Sequence, residues 1–145
     1  MEEDILKNII NGNYEEAKKK YEQMNWDTKD TKEYFLNLAY DTESICIYSF
    51  VSYMMFLTDS IFWIELAAEL MAFPLCHLEG AYSVSLHHTR ELLVRERNVE
   101  HLQMLTLFYD IPEKLIDKEE LNYIVNEIIK LDPNNKTALR YRDNK

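Results

Sequence analysis

SICIYSFVSYMMFLTDSIFWIELAAELMAF, from Ser44 to Phe73, holds thirty residues with three charges, Asp59, Glu65 and Glu69, and no Lys or Arg. How it is read decides the fold. A spanning helix needs about 20 mainly apolar residues. Ser44 to Thr58 supplies 15 uncharged residues before Asp59, and Glu65 and Glu69 then recur one turn apart. An acidic group at bilayer depth costs about 3 kcal/mol, and no basic residue flanks the run. The stretch therefore reads as two helices of a water-soluble core, broken at Thr58-Asp59-Ser60, where an N-cap is available. Ser44–Leu57 is apolar all round, the pattern of a central helix.

The rest of the chain is helical by the same reasoning. Two Gly and three Pro in 145 residues leave few tight turns. The spacing predicts helices over Glu3–Ile10, Tyr14–Met24, Thr31–Ala39, Ser60–Ala72, Leu75–Val94 and Val99–Phe108. An amphipathic helix follows Asp117-Lys118-Glu119-Glu120, which has the form of a capping box, and a short last helix carries Ala138, Leu139 and Tyr141. Asn11-Gly12-Asn13 stops the first helix, with Gly as the left-handed residue. Gly80-Ala81 is a place for another helix to approach closely. No alternating strand pattern competes. The expected fold is all-α, a single domain over residues 1–145 of about eight helices, stacked as α-α hairpins around the central apolar ones.

Two segments resemble tetratricopeptide repeats. Gly12-Asn13-Tyr14-Glu15-Glu16-Ala17, with Tyr21 and Met24, is similar to the turn and second helix of such a repeat (residues 12–24). Ile128-Ile129-Lys130-Leu131-Asp132-Pro133-Asn134-Asn135, followed by Ala138, resembles the boundary between repeats (residues 128–138). The middle of the chain lacks the matching Gly and Ala at a 34-residue period. The resemblance implies peptide or protein binding on a helical surface and no catalysis.

Net charge is −10. Most of it falls in residues 33–89, which hold Glu33, Asp41, Glu43, Asp59, Glu65, Glu69 and Glu79 and no Lys or Arg. Such a field repels nucleic acid and anionic lipid and attracts cations or a basic protein. Tyr48 and Tyr53 lie in the same segment, and tyrosine pairs contact area with a polar handle. Lys18-Lys19-Lys20 reads as a solvated helix face beside Glu15, Glu16 and Glu22. Arg90, Arg95 and Arg97 read as local ion pairs with Glu91, Glu96 and Glu100.

Candidate chemistry is thin. Cys46 and Cys76 read as buried reduced thiols. Cys76-His77, His87-His88, His101 and Glu91 lack a recognised zinc spacing, and neighbours in sequence point about 100° apart on a helix. They are read as structural or surface histidines, with no metal and no cofactor. Glu65 and Glu69 are read as the solvent-facing stripe of their helix; turned inward, they would mark a site. No phosphate loop and no nucleophile elbow is present.

The chain is therefore expected to be a non-enzymatic, acidic, cytoplasmic protein-binding domain. The leading form is a small inhibitor of the immunity-protein kind that neutralises a basic toxin such as a nuclease, using Asp41, Glu43, Asp59, Glu65, Glu69, Glu79, Tyr48 and Tyr53. This rests on size, missing catalytic signatures and the acidic segment, by analogy of class. Two alternatives stay open: an adaptor binding a peptide in a helical groove, and a metal- or carboxylate-dependent enzyme using Glu65, Glu69 and His87.

Overall fold

The computed structural model describes residues 2–143, and among them all regular structure is helical: α1 (Glu2–Ile10), α2 (Tyr14–Met24), α3 (Thr28–Thr42), α4 (Ile45–Thr58), α5 (Ile61–Ala72), α6 (Ala81–Arg95), α7 (Val99–Asp110), α8 (Lys118–Leu131) and α9 (Lys136–Asp143). No helix in this range is long and apolar enough to cross a membrane. A first compact unit runs to Ser85 and a second begins at Leu86, so α6 contributes to both.

Side-chain caps place the breaks. Ser44 and Ser60 accept hydrogen bonds from the N–H groups of Cys46 and Phe62 and open α4 and α5. Asp59 closes α4 in the left-handed region, at φ 52°. Asp27 accepts from the Asp30 N–H at 2.8 Å, so α3 starts at Thr28, ahead of the Thr31 expected from its apolar pattern. Asn13 N–H bonds to the Asn8 carbonyl and Gly12 N–H to the Ile9 carbonyl, a Schellman motif with Gly12 at φ 77°. The helix expected over 75–94 begins only at Ala81. Residues 73–80 form successive turns, with Leu75 N–H on the Leu70 carbonyl and Cys76 N–H on the Phe73 carbonyl. Gly80 sits at φ 78° with open space where a Cβ would project, so it turns the chain and admits no close-packed neighbour.

In the first unit the most enclosed helix is α5, with Trp63, Ile64, Leu66, Ala67, Ala68, Leu70, Met71 and Ala72 buried. This corrects the expectation that α4 is central: only Ile47, Phe50, Val51 and Met54 of α4 are buried, and Phe56 stands 88% exposed. Hydropathy does not separate the two helices. What separates them is side-chain size, since Ala67, Ala68 and Ala72 on α5 leave room for neighbours to close in. Rings fill the space around them. Tyr21 meets Trp63 edge-on at 5.6 Å, Tyr14 meets Phe50 at 5.7 Å, and Trp26 lies 4.6 Å from Tyr34. Cys46 and Cys76 are free thiols, half-buried.

The second unit has a mainly aliphatic core that includes Leu92, Leu102, Leu105, Leu121, Ile124 and Ile128, with Phe108 also fully buried. Its helices are also tied by charge. Arg90 forks onto Glu120 at 2.7 and 3.0 Å, and Arg97 onto Glu127 at 2.6 and 2.7 Å. Both arginines thus reach α8, where glutamates of their own stretch had been expected as partners. Asp117 accepts from the Glu120 N–H at 2.8 Å. Only that half of the capping box is described, because the Glu120 carboxylate holds Arg90.

Candidate functional site

The two-residue link Glu43-Ser44 joins the C-terminal end of α3 directly to the N-terminus of α4. Tyr40 and Ile45 flank this junction and are each about half exposed. Asp41 and Glu43 are exposed between them, and Glu79 is exposed in the turns after α5. Residues 33–89 supply no Lys or Arg to offset them.

Glu43 occupies a position that favours a different residue. It is the C-cap of α3 at φ 53°, with its N–H on the Ala39 carbonyl and no basic residue in the last turn. Glycine is the residue that takes a left-handed C-cap without strain. A carboxylate also opposes the negative end of the helix dipole. Both effects disfavour Glu43, as they do Asp59, the left-handed C-cap of α4.

The other expected acids lie elsewhere. Asp59 is at the far end of α4, about 20 Å along a 14-residue helix. Glu69 is not on an outer stripe: its side chain is 15% exposed and pairs with Lys32 of α3 at 2.7 Å. Burial holds its carboxyl above the ordinary carboxylate range, Lys32 pulls the other way, and Glu65 adds a smaller upward push. Glu65 is half-buried. Tyr48 is half-buried, and Tyr53 packs against Tyr14 and Phe50. Two of the eight expected residues, Asp41 and Glu43, thus adjoin at the α3–α4 junction, with exposed apolar neighbours that sequence reading missed. The signal was present in Tyr40-Asp41 and Ser44-Ile45, where large apolar residues adjoin a helix terminus.

The histidines divide. His101 is buried with Nδ1 2.7 Å from the Glu96 carbonyl oxygen, a structural role. His77 is exposed. Among the described residues, His87, His88 and Glu91 are the group whose possible ligand atoms converge, all within 4.8 Å of one another. His88 Nδ1 is 2.8 Å and His87 Nε2 3.4 Å from Glu91 Oε1. Burial pushes His88 below the usual imidazole range, against an opposing pull from Glu91. The same unit carries a groove of about 320 Å³ lined by Arg90, Val94, Arg97, Glu120 and Tyr123 among others.

No protein-family model, curated protein or solved structure matches this chain.

Proposed function

We propose that the chain is a non-catalytic protein-binding module that takes a basic partner on the acidic, apolar junction of α3 and α4. Asp41 and Glu43 orient that partner, Glu79 adds to the steering field of the same acidic segment, and Tyr40 and Ile45 supply contact area. The observation that carries this reading is the run from Tyr40 to Ile45, where two exposed carboxylates, Asp41 and Glu43, lie between two half-exposed apolar side chains in a segment without Lys or Arg. An inhibitor of a basic toxin, working in the cytoplasm, is the form that best suits the charge. An enzyme built on Glu65, Glu69 and His87 has less support, because Glu69 has its counter-charge in Lys32 and His87 its partner in Glu91.

A second reading is favoured by a recurring stride. Tyr34 O–H donates to the Glu2 carbonyl, Arg90 and Arg97 reach Glu120 and Glu127, and Asn135 donates to Gln103, with partners 30 to 32 residues apart. That interval suits stacked helical hairpins and supports a tetratricopeptide-like adaptor that binds an extended peptide.

The two readings part in a titration. The chain is mixed with a panel of basic nuclease domains at low and high salt, and association is followed by calorimetry. The expected result is binding that weakens steeply with salt and is lost when Asp41, Glu43 and Glu79 are all changed to Lys. Glu43→Gly is expected to stabilise the free chain by about 1 kcal/mol while weakening the complex. Binding indifferent to salt and to the triple charge reversal would overturn the proposal and favour the adaptor.

A further inference from the structure

The histidine cluster on α6 has a geometry that its sequence does not announce. His87 and His88 are adjacent, so on a helix their side chains leave the axis about 100° apart. Glu91 is four residues from one and three from the other, which places it about 40° from His87 and 60° from His88. It sits between the two rings and brings them onto one focus. The rings lie edge to face, 5.2 Å apart, and Glu91 Oε1 is near a nitrogen of each.

We propose that His87, His88 and Glu91 form a three-ligand site for a divalent ion of the imidazole-preferring class, with zinc the first candidate. Tetrahedral zinc, with bonds of about 2.0–2.1 Å, places its ligand atoms about 3.3 Å apart. The His87 Nε2 to Glu91 Oε1 separation of 3.4 Å meets this directly. The His88 to Glu91 pair, at 2.8 Å, has to open by about half an ångström around an ion of that size. Two neutral imidazoles and one carboxylate neutralise half of the ion's charge and suit zinc, cobalt or nickel better than calcium or magnesium. Ligation through His88 Nδ1 leaves that ring's proton on Nε2, and ligation through His87 Nε2 leaves its proton on Nδ1.

The site straddles the surface. The His88 side chain is 4% exposed and that of His87 71%. One ligand is thus anchored in the fold and one faces water. Three protein ligands leave the fourth position open, and the exposed side fills it with a water molecule. This arrangement differs from a closed four-ligand structural site, so the chain is expected to fold without the ion and to gain stability when it binds.

The test uses the full chain after chelator treatment. Zinc is titrated in competition with a chromophoric chelator, and cobalt binding is followed by visible absorption, which reports coordination number. One ion per chain is expected, with a rise in thermal midpoint as zinc is added. His87→Ala and Glu91→Gln are each expected to weaken binding roughly tenfold or more, the scale on which even supporting ligands act, and to abolish the midpoint shift. Both side chains reach the surface, so these variants are expected to fold, and circular dichroism checks that they do. His77→Ala and Glu113→Gln, an exposed histidine and an exposed carboxylate elsewhere, are expected to leave affinity unchanged. No stoichiometric binding would overturn the proposal. So would affinity that survives both site variants, or affinity that falls with His77→Ala.

Discussion

Between residues 33 and 89 the chain has no Lys or Arg, and the helices there are joined ring against ring; from Arg90 onward, arginine forks reach from α6 and from the link after it onto α8. The contrast follows from what each stretch has available. Where acids have no cations near them in sequence, they must be turned to water or given a partner from outside. Asp41, Glu43 and Glu79 take the first course and become a surface. Glu69 takes the second, reaching Lys32 just before the acid-only segment begins. Cohesion then falls to Tyr14, Tyr21, Phe35, Phe50 and Trp63, whose contacts need no charge. In the second unit Glu120 and Glu127 are matched by arginines thirty residues earlier, and charge there serves to hold helices in place.

Three measurements test this contrast. Phe35 is fully buried and touches Tyr21, Tyr34, Phe50 and Trp63. Phe35→Ala is expected to cost about 3–5 kcal/mol in urea unfolding, with little dependence on salt. A cost under about 1 kcal/mol, well below the range for deleting a buried ring, would break the idea that rings hold the first unit.

Next in size is Lys32→Met, which strands Glu69. The cost of breaking a buried pair is 3–5 kcal/mol; with Lys32 partly in water, about 1–2 kcal/mol is expected near neutral pH. The sign with pH follows from burial. Glu69 already sits above the ordinary carboxylate range, and removing Lys32 removes the influences that lower it. A carboxyl whose folded value exceeds its unfolded value destabilises the fold when ionised. That cost is full above the folded value and fades as pH falls towards the ordinary value. The deficit of Lys32→Met is therefore expected to shrink on acidification through that window. A deficit constant with pH would show that Lys32 matters for packing and not for charge.

The smallest effect belongs to the forks. Arg90→Ala and Arg97→Ala are each expected to cost at most about 1 kcal/mol, since both arginines are nearly half in water. Most of that cost is expected to vanish in about 1 M salt, where the Debye length falls to roughly 3 Å. Salt-independent losses would assign the forks' contribution to their aliphatic stems.

Much of the fold was legible because its signals are local. The break at Thr58-Asp59-Ser60, Gly12 as a left-handed stop and Asp117 ahead of α8 each depend on residues within one turn. The errors arose where distant partners decide. Nothing near Ser44–Leu57 tells that its face at Phe56 meets water while the alanines of α5 draw neighbours in. Pro74 and Gly80 bracket a turn, yet the apolar Leu75 and Leu78 between them kept a helical look. Arg90 and Arg97 have acids beside them in sequence, and the ones they hold are on another helix. The site was legible only as residue types. Acidity was read correctly as belonging to the middle of the chain, but periodicity could not tell that Glu69 faces Lys32. The histidine cluster is hidden in the sequence because neighbouring residues diverge on a helix, and only Glu91, between His87 and His88 in angle, reconciles them.

Arg90 and Arg97 are seven residues apart, and so are Glu120 and Glu127, so the second unit carries its own ruler. Arg90 lies in α6 and Arg97 in the link after it, so the register of this stretch against α8 is read off that ruler and does not depend on the length of the chain joining α7 to α8. The exposed tip at Glu113-Lys114 is then a splice point, where a peptide tag or a fluorescent module can be threaded in with both forks intact. A single residue inserted between Glu120 and Glu127 has the opposite consequence: it swings one glutamate a third of a turn away and leaves its arginine empty-handed.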